Sequence, residues 1–179
     1  MKIYQELPLL DRILDERSSI MGNQFLPYRN HVYRVVNFCF AFHQCDPTEI
    51  EKIIIAGCFH DLGIWPTDTV YYIDPSIELA KKYLDEQNNS DWADEIGMMI
   101  DLHHKFRQVR NCQYPLVEIF RKGDWVDASL GLRTFGLPRA DVRQVQASFP
   151  NLGFHNNLLR LAFKQFLKNP LNPLPMMKW

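Results

Sequence analysis

The sequence predicts an all-α, single-domain helical bundle of seven to eight helices, and two observations carry that prediction. Helix start and stop signals recur along the whole chain, while the period-two alternation of a half-buried strand is nearly absent. No internal repeat, low-complexity run or Gly/Ser-rich linker divides the 179 residues, a length that can bury a core without staples.

The elements follow in order. A first helix is expected near residues 4–16, and a second runs from Pro27 to about Gln44. After Cys45, Asp46 suits an N-cap, Pro47 suits the first helical position and Glu49 completes a capping box, with Gly63 as the stop. Similar starts fall at Asp74-Pro75, at Ser90, before Pro115 and before Pro138, and a last helix covers about 156–168. From Asn169 the segment NPLNPLPMMKW carries three prolines and cannot be a regular helix. The expected organisation is therefore a helical domain over 1–168 and a Pro-rich tail over 169–179, extended on the surface.

Composition narrows the function classes. With 20 basic against 21 acidic residues the net charge is −1, so the chain as a whole has no electrostatic footprint for nucleic acid. No apolar run has membrane-spanning length, and MKIYQELPLLDRILDE carries acids where a signal peptide needs a basic and then a long apolar region. A cytoplasmic protein without a membrane partner is expected. Cys39, Cys45, Cys58 and Cys112 show no C-x-x-C pairing and two lie in apolar helical patterns, which points to buried free thiols.

The informative feature is what lies at the ends of four apolar stripes. Val32, Val35, Val36, Cys39 and Phe40 recur at helical spacing, and His31 opens this stripe one turn before Val35. Ile50, Ile53, Ile54, Gly57 and Cys58 form the next stripe, and Asp61 stands where its next apolar residue belongs, directly after His60. A carboxylate there is doubly disfavoured, by burial and by the C-terminal end of a helix dipole, and a bound cation would offset both. Trp92, Ile96, Met99 and Ile100 lead to His103, from which His104 is rotated by about 100° on a helix. Val117 and Phe120 lead to Asp124, with Asp127 one turn beyond. Each residue alone also fits a satisfied core histidine or a capping carboxylate. Together, His and carboxylate form the mixed N/O ligand set of transition metals, and no cysteine is needed.

These residues resemble the HD-domain superfamily, whose pattern is a His on one helix, an adjacent His-Asp pair closing another, and a distant Asp. Here those are His31, His60-Asp61 in AGCFHDLGIW, and Asp124 in RKGDWVDAS, and the likeness covers about residues 25–130. It implies an HD-type bundle and a divalent transition metal (Mn, Ni, Co, Zn or Fe), one ion or two. Two-metal members carry two further histidines. His103 or His104 would match one, and Asp74 stands where the other occurs, either as a ligand or as an N-cap before Pro75. The implied activity is metal-dependent hydrolysis of a nucleotide or other small phosphoester through a metal-bound hydroxide, the metal lowering the pKa of its water.

On that reading Asp61 is both ligand and catalytic residue, and His104 protonates a leaving group. Lys122 and Arg29, each two residues from a ligand, and Lys105 and Arg107, close to the histidine pair, are candidates to meet the phosphate charge. Asp127 is a candidate to orient a ligand. Trp65, Pro66 and Tyr71-Tyr72 form either a substrate wall or a cover for the core, and His43 and His155 match no pattern. The partner expected is a small phosphorylated molecule, with a homodimer left open. Two other classes remain, a two-iron HD-type oxygenase and a non-catalytic HD ligand-binding domain.

Overall fold

The computed structural model describes residues 1–178. Among them the chain forms ten α-helices and two short 3-10 turns: α1 (Pro8–Asp15), α2 (Ser18–Met21), α3 (Phe25–Phe42), α4 (Pro47–Phe59), α5 (Ile64–Thr67), α6 (Ile73–Glu86), α7 (Ala93–Leu102), α8 (Pro115–Ala128), α9 (Arg139–Ser148) and α10 (Phe154–Lys168). Two of these, α2 and α5, are single turns, which leaves eight longer helices and the all-α bundle that the punctuation predicts. No described helix is long and apolar enough to cross a membrane.

Local chemistry accounts for the boundaries. Asp46 accepts the Glu49 amide while the Glu49 carboxylate takes the Asp46 amide, so the capping box forms as expected. Pro8, Pro47 and Pro115 each open a helix, where the missing N–H costs no hydrogen bond. The helix after Tyr72 starts at Ile73, so Asp74 lies in its first turn rather than at the N-cap. α4 ends at Phe59, before Gly63, because His60 to Gly63 turn sharply into α5.

The core is organised around α3, in which Tyr28, Val32, Tyr33, Val35, Val36, Phe38 and Cys39 are fully buried. Its main partner is α8. The two helices approach closely because Gly123 has no side chain: a Cβ there would lie 2.5 Å from Cys39 Sγ and 2.9 Å from the Val35 carbonyl oxygen. Tyr28 donates from its hydroxyl to the Cys58 carbonyl, fixing the end of α4 against α3. The cysteines are all free, with Cys39 and Cys58 buried.

The Pro-rich tail does not simply lie extended on the surface. It folds back on the chain. Met176 packs on a small apolar cluster of Ile64, Val70, Tyr72, Ile73 and Leu161, and the Lys178 carbonyl accepts the Phe106 amide at 2.7 Å. The tail thus runs beside the segment that follows His103-His104.

Candidate metal centre

The bundle brings the ends of four helices to one buried place. His31 comes from the second turn of α3, His60 and Asp61 from the end of α4, His103 and His104 from the end of α7, and Asp124 from α8. His31, His60, Asp61, His103 and Asp124 are each 2% exposed or less.

The distances are those of a shared site. His31 Nε2 lies 2.9 Å from His60 Nε2. Asp61 Oδ2 is 3.7 Å from His31 Nε2 and 3.6 Å from His60 Nε2, and Asp124 Oδ1 is 3.8 and 3.7 Å from the same atoms. The other oxygens of both carboxylates face the opposite way, Asp61 Oδ1 to His103 Nε2 at 3.5 Å and Asp124 Oδ2 to His104 Nδ1 at 3.4 Å. Both carboxylates therefore span from a His31–His60 half to a His103–His104 half. Sets of donor atoms close enough for one ion occur in each half, His31 with His60 and Asp61, and Asp61 with His103 and His104.

Hydrogen bonds outside the centre decide what the ring nitrogens offer. His60 Nδ1 contacts the Gly57 carbonyl at 2.7 Å and His103 Nδ1 the Ile100 carbonyl. A carbonyl has no proton to give, so both Nδ1 atoms are donors. His31 Nδ1 lies 2.6 Å from Asp127 Oδ2, and that carboxylate is kept ionised by Arg34, so His31 Nδ1 also donates. In neutral rings the three Nε2 atoms are then lone pairs directed into the centre. Two such nitrogens at 2.9 Å require a cation to share, either a proton or a metal ion. Asp61 Oδ1, Asp124 Oδ2 and His103 Nε2 are in addition buried without hydrogen-bond partners. Orphaned acceptors of this kind, three imidazoles and two carboxylates together, fit a divalent transition metal.

The electrostatics agree. Burial lowers the His31 pKa to about 4 even though Asp127 opposes it, so the ring is neutral near pH 7. Burial pushes the Asp61 carboxyl up, but His60, His103 and His31 outweigh it and hold the group well below the usual carboxylate range. Asp124, where burial prevails over His103 and His60, rises to about 6. Burial also lowers His104 to about 4. For Asp127 burial is overcome chiefly by Arg34 and His31, and its pKa falls.

His104 joins the cluster despite the expected rotation away from His103. α7 ends at Leu102, so the 100° step of a continuing helix does not govern it. Three other residues make contacts that no sequence pattern signals, although the sequence offers Tyr72 as substrate wall or core cover. Tyr72 meets His104 Nε2 at 2.6 Å, Arg34 grips both oxygens of Asp127, and His155 Nε2 donates to the Asp127 carbonyl at 3.1 Å. Only Asp127 itself carried a signal, as a carboxylate one turn beyond Asp124.

Several expected site residues stand elsewhere. Asp74 is exposed, beside a groove that Met176 and Lys178 also line, and is not a member of the cluster. Arg29 is bound to Asp11 at 2.7 Å and lies over the Tyr33 ring. Lys122 lies over the Phe42 ring, because two residues along a helix rotate a side chain by about 200° from Asp124. Arg107 is exposed in a separate groove with Lys122. The Lys105 carbonyl accepts from Arg121 and Trp125, which pins the segment after His104 to α8.

No family model matches the chain, and neither a curated protein nor a solved structure matches it.

Proposed function

We propose that the protein is a metal-dependent hydrolase of the HD type, acting on a nucleotide or another small phosphoester. The observation that carries this reading is the convergence of His31, His60, Asp61, His103 and Asp124 in one buried place with acceptor atoms left unpaired. A divalent ion there would act as a Lewis acid, lowering the pKa of water and polarising a phosphoryl oxygen.

The chain's own residues supply the rest. His31, His60, Asp61 and Asp124 would hold one ion, and the other oxygens of the carboxylates with His103 and His104 would offer a second position. His104 is the most exposed of the cluster, with 12% of its side chain accessible, so substrate meets the centre on its side. The Tyr72 hydroxyl, whose pKa burial raises further, stays protonated, and with His104 Nδ1 turned toward the second position the ring proton sits on Nε2, which donates to the Tyr72 oxygen at 2.6 Å. His104 and Tyr72 thus present a proton-bearing wall to the leaving group. Arg29, bound to Asp11, and Lys122, over the Phe42 ring, do not reach the centre, so neither would meet the phosphate charge there.

The double set of donors around Asp61 favours two ions, and it keeps a two-iron oxygenase as the second reading. Elemental analysis of protein purified without chelator, together with a panel of nucleotides and phosphoesters, separates the readings. The hydrolase predicts metal-dependent phosphate release that Asp61→Ala abolishes. Two irons with substrate-dependent oxygen uptake and no phosphate release would replace it with the oxygenase. Tight nucleotide binding without turnover would make the domain a non-catalytic ligand binder.

A further inference from the structure

A second feature lies outside the metal centre. The segment around 106–110, the first half of α8 and the turn at 133–135 enclose a groove of about 640 Å³. Its charge is one-sided: Arg107, Arg110, Arg121, Lys122 and Arg133 line it against a single acid, Glu118. Glu118 is already committed, since it binds Arg121 in a two-pronged pair at 2.7 Å and accepts the Val109 amide. Among the described residues no carboxylate pairs with Arg107, Arg110, Lys122 or Arg133. In a chain of net charge −1, this is a local concentration of positive charge.

Arg133 is the built element of the groove. Its guanidinium stands 4.7 to 4.9 Å from the ring centres of Phe106, Trp125 and Phe135, which hold it in place. Its Nη2 donates to the Phe106 carbonyl, and its own amide donates to Ser129 Oγ. Nη1 is buried and has no acceptor. The guanidinium thus meets aromatic faces and one carbonyl but no carboxylate, and its fixed charge at the groove favours an anion.

We propose that this groove is a second ligand site, which binds a small polyphosphate-bearing anion such as pyrophosphate or the phosphate chain of a nucleotide. Four uncompensated cations spread over the groove exceed what one monophosphate can engage, and the volume lies in the range of small-molecule sites. Arg121, 1% exposed, links the groove to the centre, because its Nη1 donates to the Lys105 carbonyl next to His104.

The test is calorimetric titration of inorganic phosphate, pyrophosphate and ATP into the full chain, as purified and after chelation. The double variant Arg107→Glu/Arg110→Glu and the variant Arg133→Ala are compared after melting curves confirm that they fold. Pyrophosphate should bind about tenfold more tightly than phosphate, survive chelation, and weaken about tenfold or more in either variant. If Arg133→Ala does not fold, the double variant at two exposed positions decides. Unchanged affinity in the double variant, or binding lost on chelation, overturns the proposal. So does single-stranded RNA that binds the groove and is not displaced by pyrophosphate, which would make the ligand a polymer.

Discussion

His31 Nδ1 and Asp127 Oδ2 are 2.6 Å apart, and this contact orients the metal centre from outside. Asp127 is held on its other side by Arg34, at 2.5 Å from Nε and 2.9 Å from Nη2, and all three side chains are nearly inaccessible. The pair fixes the tautomer of His31 so that Nε2 faces inward. Groups that orient a ligand in this way typically contribute a factor of about 10–100 in metal affinity. Asp127→Asn is therefore expected to weaken metal binding by roughly that factor, measured by competition with a chromophoric chelator on variant protein shown to be folded by circular dichroism. Equal affinity in both proteins would mean that His31 needs no such support.

Removal of metal should be visible in stability. Without an ion, His31 Nε2 and His60 Nε2 face each other at 2.9 Å and three buried acceptors lack partners. An ion bound only by the folded state stabilises it by about 2.7 kcal/mol at a free concentration one hundred times its Kd. For a domain of this length that corresponds to a fall in Tm of roughly 5–10 °C on chelation. Differential scanning calorimetry with and without chelator measures it, and the His60→Ala variant should show little response. A wild-type Tm indifferent to chelator would remove the metal from this centre.

Close packing of α3 on α8 yields a third prediction. A methyl group at position 123 would meet Cys39 Sγ and the Val35 carbonyl oxygen, and the latter, as backbone, cannot move without shifting a helix. Gly123→Ala should cost about 1–3 kcal/mol despite the better helix propensity of alanine. Urea unfolding followed by circular dichroism would show the midpoint fall, and a rise would mean the helices separate freely. Because Asp124 is the next residue, metal affinity should fall as well.

How far this site could be read in the sequence follows from the same geometry. His31, Asp61, His103 and Asp124 were legible because each lies on an apolar stripe, where helical periodicity fixes which way a residue points, and His60 through its place in the adjacent His-Asp pair. His104 is a sequence candidate, but its inward direction was not legible, because the helix ends at Leu102, before the histidine pair. Arg29 and Lys122 were misplaced by nearness in sequence: Arg29 is bound to Asp11, and Lys122 stands on the far side of α8. Tyr72 and His155 reach their partners across 32 and 28 residues, a separation on which no local pattern reports. The helices themselves were legible wherever a capping residue or proline marks a boundary, as at Asp46-Pro47 and Pro115. The tail was read correctly as non-helical, but its return to Phe106 depends on a tertiary hydrogen bond.

The Glu118–Arg121 pair predicts a pH dependence of stability away from the metal ligands. Burial raises the Glu118 pKa, but Arg121 and the Val109 amide prevail, and the group titrates below its ordinary value. In the unfolded chain the carboxyl titrates at about 4.3. Below that value the unfolded state binds the proton more readily than the folded state, so the stabilisation is present above it and is lost as pH falls toward the folded pKa. Glu118→Gln should therefore reduce stability at pH 7 by about 1–2 kcal/mol, a figure discounted for the partly solvated edge of the pair. The gap from wild type should close between about pH 5 and pH 3. Urea titrations at pH 7, 5, 4 and 3 follow it directly. A gap that stays constant over that range would mean that Glu118 stabilises α8 through packing rather than through its charge on Arg121.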